Sequence, residues 1–292
     1  MTVLQLETYD GPDEKGVHGR NGPIHVSRGT YNSPRIEEEF IASASKLGWR
    51  EVPDLQDLES VNAVSRAQRF ISPDGKRQDA ATCYLHPRLQ DGKHPNLHVL
   101  VESQILRIIF DESKTATGVE YRPNPLFHPD DAGLIRTVKA RKLVIASAGA
   151  CATPSLLERS GVGSPRVLEA AGVSVVANVA GVGEGYEDHH LLAYPYLNNL
   201  APEDTFDALV HGKLGSPEEL IKSGNKRLGS NAQEVQAKVR PTEAEVVALG
   251  PGFKQAWDKE FKDHPDKPMV VFTVIAGYVF LHHQFNLLNQ RP

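Results

Sequence analysis

The sequence is poor in cysteine: only Cys83 and Cys151 are present, at no metal-ligand spacing. That excludes a disulfide framework and a thiolate metal site, and it fits an intracellular chain or one indifferent to redox compartment. Positive charge is not in excess either, since 32 Lys and Arg face 37 Asp and Glu for a net charge of −5, so nothing argues for nucleic acid. No apolar run reaches the length of about 20 residues that a bilayer span needs; the run at 269–281 falls short, and no membrane partner is expected. Residues 1–7 have neither the basic start nor the long apolar stretch of a secretory leader. A G-x-G-x-x-G turn is missing as well. Gly161-Val162-Gly163 and Gly181-Val182-Gly183 come nearest, but neither follows a strand and opens a helix with a third glycine, so both are expected to be turns.

What is present is the composition of an ordinary globular chain, 40% apolar and 24% charged over 292 residues, enough for one large or two modest cores. Helices follow a recurring grammar. Ser33-Pro34, then Glu37, Glu38 and Glu39, sets a cap, a first-turn proline and acids at the positive dipole end, with Gly48 as the stop. Ile36, Phe40, Ala44 and Leu47 are expected on its apolar face. Ser164-Pro165 to Gly172 and Ser216-Pro217 to Gly224 repeat this start and stop. Residues 97–101, 105–110, 117–121 and 135–139 read as strands of an antiparallel meander. The basic cluster Arg136, Lys139, Arg141 and Lys142 reads as a solvated strand edge.

The meander feeds the most informative stretch, Leu143-Val144-Ile145-Ala146-Ser147, an apolar run that empties into Ala148-Gly149-Ala150-Cys151. It reads as a strand covered on both faces, with a glycine at its carboxyl end that lets a ligand approach the backbone. Open α/β sheets bind nucleotides at such ends. Thr153, Pro154 and Gly161 predict the cap, first position and stop of the next helix. Organisation changes after His190, where helix candidates at 202–212, 216–224 and 243–261 are separated by Gly, Asn and Pro.

These residues resemble the glucose-methanol-choline (GMC) family of FAD-dependent oxidoreductases. Gly149, Thr153-Pro154, Leu156-Leu157 and Ser160-Gly161-Val162-Gly163 look like its second signature, continued by Gly181-Val182-Gly183 and Asp188-His189. Gly185-Tyr186 departs from the usual Asn-Leu. Asn21-Gly22-Pro23, Asp79-Ala80-Ala81, Asn96-Leu97-His98 and Thr117-Gly118-Val119 add matches. Thr8-Tyr9-Asp10-Gly11-Pro12-Asp13, Asp74-Gly75-Lys76-Arg77-Gln78-Asp79 and Arg240-Pro241-Thr242 are most similar to the fungal alcohol (methanol) oxidases within the family. The likeness runs from about Leu6 to about Val274.

The resemblance implies a mixed α/β fold: a partial, Rossmann-like FAD-binding domain with its meander over 1–192, then the incomplete start of a substrate domain over 193–292, atypical from about 275. It implies FAD as cofactor, with the Ile105 backbone at the adenine and Ser147, Ala148 and Gly149 beside the ADP half. On the residues alone Ile105 reads as a plain core residue. In the parent enzyme a small primary alcohol would give a hydride to flavin and O₂ would reoxidise it; a homo-oligomer and a peroxisomal address are both open to that enzyme. The family's G-x-G-x-x-G and its carboxyl-terminal catalytic His have no counterpart here, so no catalytic residue is assigned and the chain is expected to be an inactive middle portion, about half of a full-length member. The apolar strand at Leu143 would then lack the strand that the family places beside it. The other reading is a non-catalytic truncated product or an interaction module. No metal site is expected: neighbouring His189-His190 on an extended backbone point to opposite faces, His282-His283 fails likewise, Ser147 has no G-x-S-x-G elbow, and Cys151 reads as a small residue beside the cofactor.

Overall fold

Short strands and capped helices alternate along the chain. The structure, a computed structural model, describes residues 6–277 apart from 132, 202 and 203. In chain order, β1 (Glu7–Tyr9), β2 (Ile24–Val26), α1 (Pro34–Lys46), β3 (Arg50–Glu51), β4 (Ala63–Arg66) and α2 (His86–Gln90) come first. There follow β5 (Ser103–Phe110), β6 (Ala116–Pro123), β7 (Arg136–Lys139), α3 (Ala152–Arg159), β8 (Val162–Gly163), α4 (Pro165–Ala170) and β9 (Ala177–Asn178). The last group is α5 (Phe206–Val210), α6 (Pro217–Lys222), β10 (Gln233–Val239), α7 (Glu243–Ala248), α8 (Pro251–Glu260) and β11 (Val270–Ile275). The class is mixed α/β, as expected. Two compact units result: Met1–His94 with Pro195–Pro292, and the inserted Pro95–Tyr194.

The discontinuous unit is built on a sheet ordered β11-β10-β4-β3. Strand β10 runs antiparallel to β4, with Val235 opposite Arg66 and Ala237 opposite Val64. Helix α1 starts at Pro34 after Ser33 and is stopped by Gly48, whose φ of 84° suits glycine. It lays Ile41 and Ala44 on Val64, Val235 and Ala237, all buried. Leu47 does not join that face; it follows the last helical residue and is 69% exposed. Glu37, expected as an acid at the dipole end, is also buried and binds Arg28 and, at 2.7 Å, Arg66. Arg69 and Glu234 form a buried ion pair at 3.2 Å, and Arg69 also reaches Asn32 and the Tyr31 carbonyl. Burial pushes the Glu234 carboxyl up and the Arg69 guanidinium down, and each partner's charge opposes the shift of the other. Three glycines meet beside this pair of segments: a Cβ on Gly229 would lie 2.6 Å from Gly75 Cα, and one on Gly29 would lie 2.3 Å from the Gly229 carbonyl oxygen.

A second buried cluster fastens the amino-terminal loop. The rings of Tyr9 and His18 stack at 3.6 Å, and the Tyr9 hydroxyl donates to Asp54 at 3.0 Å. His18 sits between two carboxylates, Nδ1 at 2.9 Å from Glu7 and Nε2 at 3.0 Å from Asp54. Burial alone would lower its pKa; the two hydrogen bonds and the two negative charges outweigh that and raise it above the ordinary 6.5.

In the inserted unit β5, β6 and β7 form the expected antiparallel meander, with Ile108 opposite Val119 and Val119 opposite Val138. Helix α3 is clamped to β5 at its carboxyl end. The buried Ser160 hydroxyl donates to Leu156 at 2.6 Å and accepts the Ile108 N–H at 2.8 Å, while Arg159 donates to the Leu106 carbonyl. Three expectations are corrected here. Residues 97–101 and 143–147 are not strands; Leu143 and Ile145 are 71% and 77% exposed, and no strand pairs with either segment among the described residues. A strand needs a neighbour for its backbone groups, and an apolar run cannot supply one. Helix α3 begins at Ala152, not Pro154, because a proline at the third helical position removes only an N–H that lacks an intrahelical acceptor anyway. Val162-Gly163 is not only a turn: it pairs in parallel with Ala177-Asn178, whereas Gly181-Val182-Gly183 is a turn as expected.

Elsewhere α4 and α6 follow their Ser-Pro starts, α6 with a full capping box between Ser216 and Glu219. The helix expected over 243–261 is two helices, broken at Gly250, whose φ is 94°, ahead of Pro251. Of the helix expected over 202–212, α5 covers Phe206–Val210. His282-His283 lies outside the described residues.

Two outcomes follow. Because His18 holds its proton more tightly when folded, its contribution is complete below about pH 6.5 and is lost as pH rises through the folded value. The urea midpoint is therefore expected to fall between about pH 6 and about pH 9, and His18→Gln to flatten that slope; an unchanged slope in the variant would refute the assignment. Ser160→Ala leaves the buried Ile108 N–H without an acceptor, which costs about 1–3 kcal/mol. It is expected to speed amide exchange along β5, and exchange equal to wild type would contradict the clamp.

Candidate functional site

Ser147, Ala148 and Gly149 lead directly into α3, and two hydrogen bonds fix that entry. The Thr153 hydroxyl, expected to cap the helix, instead accepts the Ala148 N–H at 2.9 Å, and the Thr153 N–H donates to the Gly149 carbonyl at 2.9 Å. Gly149 has φ 90°, and a Cβ there would meet nothing within 4 Å. The turn conformation requires glycine; crowding by the protein does not. Ile105 lies on β5 opposite Tyr121 and is 38% exposed, whereas Ile108 on the same strand is buried. Helix α3 links the two places, since it leaves the 147–149 turn and ends on β5 through Arg159 and Ser160.

FAD needs an enclosed trough and donors for its pyrophosphate. Ser147, Ala148 and Gly149 are all exposed. The Ala148 and Thr153 N–H groups are spent on the turn itself. The adjoining 143–147 segment is open along its apolar side chains. As placed, these residues form an open, solvent-exposed turn and do not by themselves fit FAD.

Other titratable groups are structural or solvated. The Tyr186 hydroxyl donates to Asp188 at 2.7 Å, which raises the phenol's pKa and lowers the carboxyl's, with the Cys151 thiol adding to the rise. Asp188 also accepts the His189 N–H, and His189 and His190 lie in an exposed, irregular segment. Arg136 and Lys139 are exposed on the edge strand β7, with Arg141 and Lys142 exposed just beyond it. Among the described residues no group of three His, Cys, Asp or Glu gathers in a metal-binding arrangement, and no helix is long and apolar enough to cross a membrane.

A buried ionisable cluster, Glu7, Tyr9, His18 and Asp54, carries no local signal in the sequence, since its members are up to 47 residues apart. An open polar groove of about 330 Å³ in the discontinuous unit, lined by Lys15, Arg50, Asn62, Arg240 and neighbours, was not foreseen either. Lys15 is held there by Asp57 and Glu59, and Arg240 by the Phe261, His264 and Lys267 carbonyls.

Comparison with known proteins agrees with this architecture. A profile described as GMC oxidoreductase matches residues 4–191. Alcohol oxidase from Candida boidinii is 32% identical over 94% of the chain, alcohol oxidase 1 from Komagataella phaffii 31% over 94%, and an oxygen-dependent choline dehydrogenase from Citrobacter koseri 31% over 82%. The chain spans only 42%, 42% and 41% of those relatives' lengths. Among solved structures, a Chaetomium thermophilum FAD-dependent oxidoreductase superposes with a TM-score of 0.70 at 21% identity, covering 94% of this chain and 52% of its own. An Aspergillus oryzae formate oxidase gives 0.64 at 19%, covering 92% and 46%. With the profile matched over about two thirds of its length, and with the signature around α3 set on the fold of those flavoenzymes, the chain belongs to the GMC oxidoreductase family, whose cofactor is FAD.

Proposed function

We propose that this chain is the central portion of an FAD-dependent oxidoreductase acting on the CH–OH group of donors, with primary alcohol and O₂ converted to aldehyde and H₂O₂ in the whole enzyme. One observation carries the reading: identity of 30–32% to alcohol oxidases extends along 94% of the chain, beyond the 4–191 span of the family profile. In this reading residues 1–192 belong to the FAD-binding domain and 193–292 begin the substrate domain. The Ile105 backbone would meet the adenine, and Ser147, Ala148 and Gly149 would flank the ADP half. The open space in front of Gly149 supports that assignment. The parent enzyme would be intracellular, with a peroxisomal address open to it and the cytoplasm as the alternative.

Taken alone, the chain has no assigned base for the alcohol proton, a group that contributes about 10²–10⁴-fold, and offers FAD an open face. Purified chain is expected to be colourless after desalting and to release no peroxide from methanol with FAD added. A stoichiometric yellow preparation, or peroxide above a boiled control, would overturn the inactive-portion reading. Supplying the missing family segments as a fused chain is expected to restore both flavin binding and turnover; if the fused chain stays flavin-free, the enzyme reading fails and a non-catalytic module is the better one.

A further inference from the structure

Between β1 and β2 the chain makes a loop, residues 10–20, whose two ends are fixed by the backbone. The Asp10 N–H donates to the Val26 carbonyl at 2.9 Å and the Tyr9 N–H to the Gly19 carbonyl at 3.0 Å. The middle of the loop is held to the 54–60 turn by two side chains. Lys15 reaches Asp57 at 2.9 Å and Glu59 at 2.6 Å, and His18 reaches Asp54 at 3.0 Å. Asp13 accepts the Val17 and His18 N–H groups, so the imidazole is aimed by its own loop.

The His18 ring meets a carboxylate at each nitrogen, Glu7 at Nδ1 and Asp54 at Nε2. The second Asp54 oxygen accepts from the Tyr9 hydroxyl at 3.0 Å and from the Gln56 N–H at 2.8 Å, the donor set that suits an ionised carboxylate. Ionised carboxylates only accept, so both ring nitrogens must donate, and only the imidazolium does that. Neutral His18 would turn a bare lone pair toward one acceptor. Its side chain is 9% exposed, which leaves little room for water to come between. The two carboxylates lie at opposite edges of one rigid ring, so the ring cannot retreat from one without straining its bond to the other. Lys15 then remains as the loop's second tie to the turn, an exposed ion pair of small worth. Charged groups come to this place from every packed segment: Glu7 from β1, Asp13 and Arg20 from the loop, Asp54 and Asp57 from the turn, and Lys238 from β10, whose ammonium donates to the Leu55 carbonyl at 2.6 Å. Tyr9 stacks on the ring as a neutral phenol, because burial and the Asp54 charge hold its proton.

We propose that residues 10–20 are a proton-operated strap, closed on the 54–60 turn while His18 is an imidazolium and released when that proton leaves to water. Lys15 also lines the polar groove with Arg50, Asn62 and Arg240, so release withdraws one of the groove's cations. The test is limited trypsin digestion of the full 292-residue chain between about pH 6.5 and about pH 9. Cleavage after Lys15 is read as a ratio to cleavage after the exposed Lys142 of the inserted unit, which removes the protease's own pH dependence. In wild type the ratio is expected to rise at least about tenfold, the effect of losing one hydrogen bond to a charged group. His18→Gln, which does not titrate, is expected to hold the ratio constant across that range. Glu7→Gln is expected to keep it low throughout, because an amide at that position can donate to the bare Nδ1 of neutral His18 while Nε2–H serves Asp54. A merely structural His18 predicts no such protection. A flat wild-type ratio, a rise that survives in His18→Gln, or a Glu7→Gln chain that opens as wild type does would each overturn the proposal. Amide exchange at Val235 and Ala237 of β10 is read alongside. Protection there that falls in step with the strap means that the whole unit unfolds, and it overturns the proposal as well. Should His18→Gln fail to fold, Glu7→Gln and the wild-type profile decide.

Discussion

Arg69 and Glu234 stand 165 residues apart in sequence and 3.2 Å apart in space, and the discontinuous unit depends on that closure. Both side chains are almost wholly buried, so neither has water as an alternative partner. Such a pair adds little net stability when made, yet breaking it by removing one partner costs about 3–5 kcal/mol, because a lone charge is left in the interior. It therefore acts as a register pin. It holds β10 beside β4 while Arg69 draws in the 31–32 turn, and the apolar contacts of Ile41, Val64 and Val235 supply the bulk of the burial around it. The glycine contact at Gly29, Gly75 and Gly229 lets the backbones close to a distance that any side chain would prevent.

The inserted unit obeys a different balance. Its meander is paired and its helix α3 is clamped by Ser160, but residues 97–101 and 143–147 present Val99, Leu100, Val101, Leu143 and Ile145 to solvent. Contiguous exposed apolar side chains of this kind mark surface built to be covered. That agrees with membership of a family whose curated members are more than twice as long as the span matched here. The flavin contacts proposed for Ile105 and Ser147–Gly149 border this uncovered surface. The openness of the site and the absence of strand pairing at 143–147 thus have one origin: the backbone there lacks a neighbour.

What the sequence disclosed was local in every case. The Ser-Pro starts and Gly stops of α1, α4 and α6 are each encoded within 16 residues or fewer, and the alternation of each meander strand within its own length, because caps, prolines and left-handed glycines act on their own turn. The family signature was legible for the same reason. Where reading failed, the deciding partner was distant or missing. The 143–147 run has the composition of a strand, but composition does not provide the adjacent ladder. Glu37 is legible as a dipole-end acid, but its burial is not, since the partner that accompanies it, Arg66, lies 29 residues on. His18 carries no motif, since Glu7 and Asp54 are brought to its two nitrogens only by the fold. Thr153 was assigned the right neighbourhood and the wrong partner, a shift of one turn that only the Ala148 contact reveals.

The insertion of Pro95–Tyr194 between the two parts of the larger unit also sets a clock. During synthesis at about 5–20 residues per second, the 165 residues that separate Arg69 from Glu234 take roughly 10–30 s to emerge. Throughout that interval β4 has no β10, and Val64 and Ala63, later fully buried, have only α1, the short β3 and the Val52–Leu55 turn to lean on. The ribosome thus holds a half-sheet open for far longer than a hairpin takes to close, and the chain's first vulnerability is one of time.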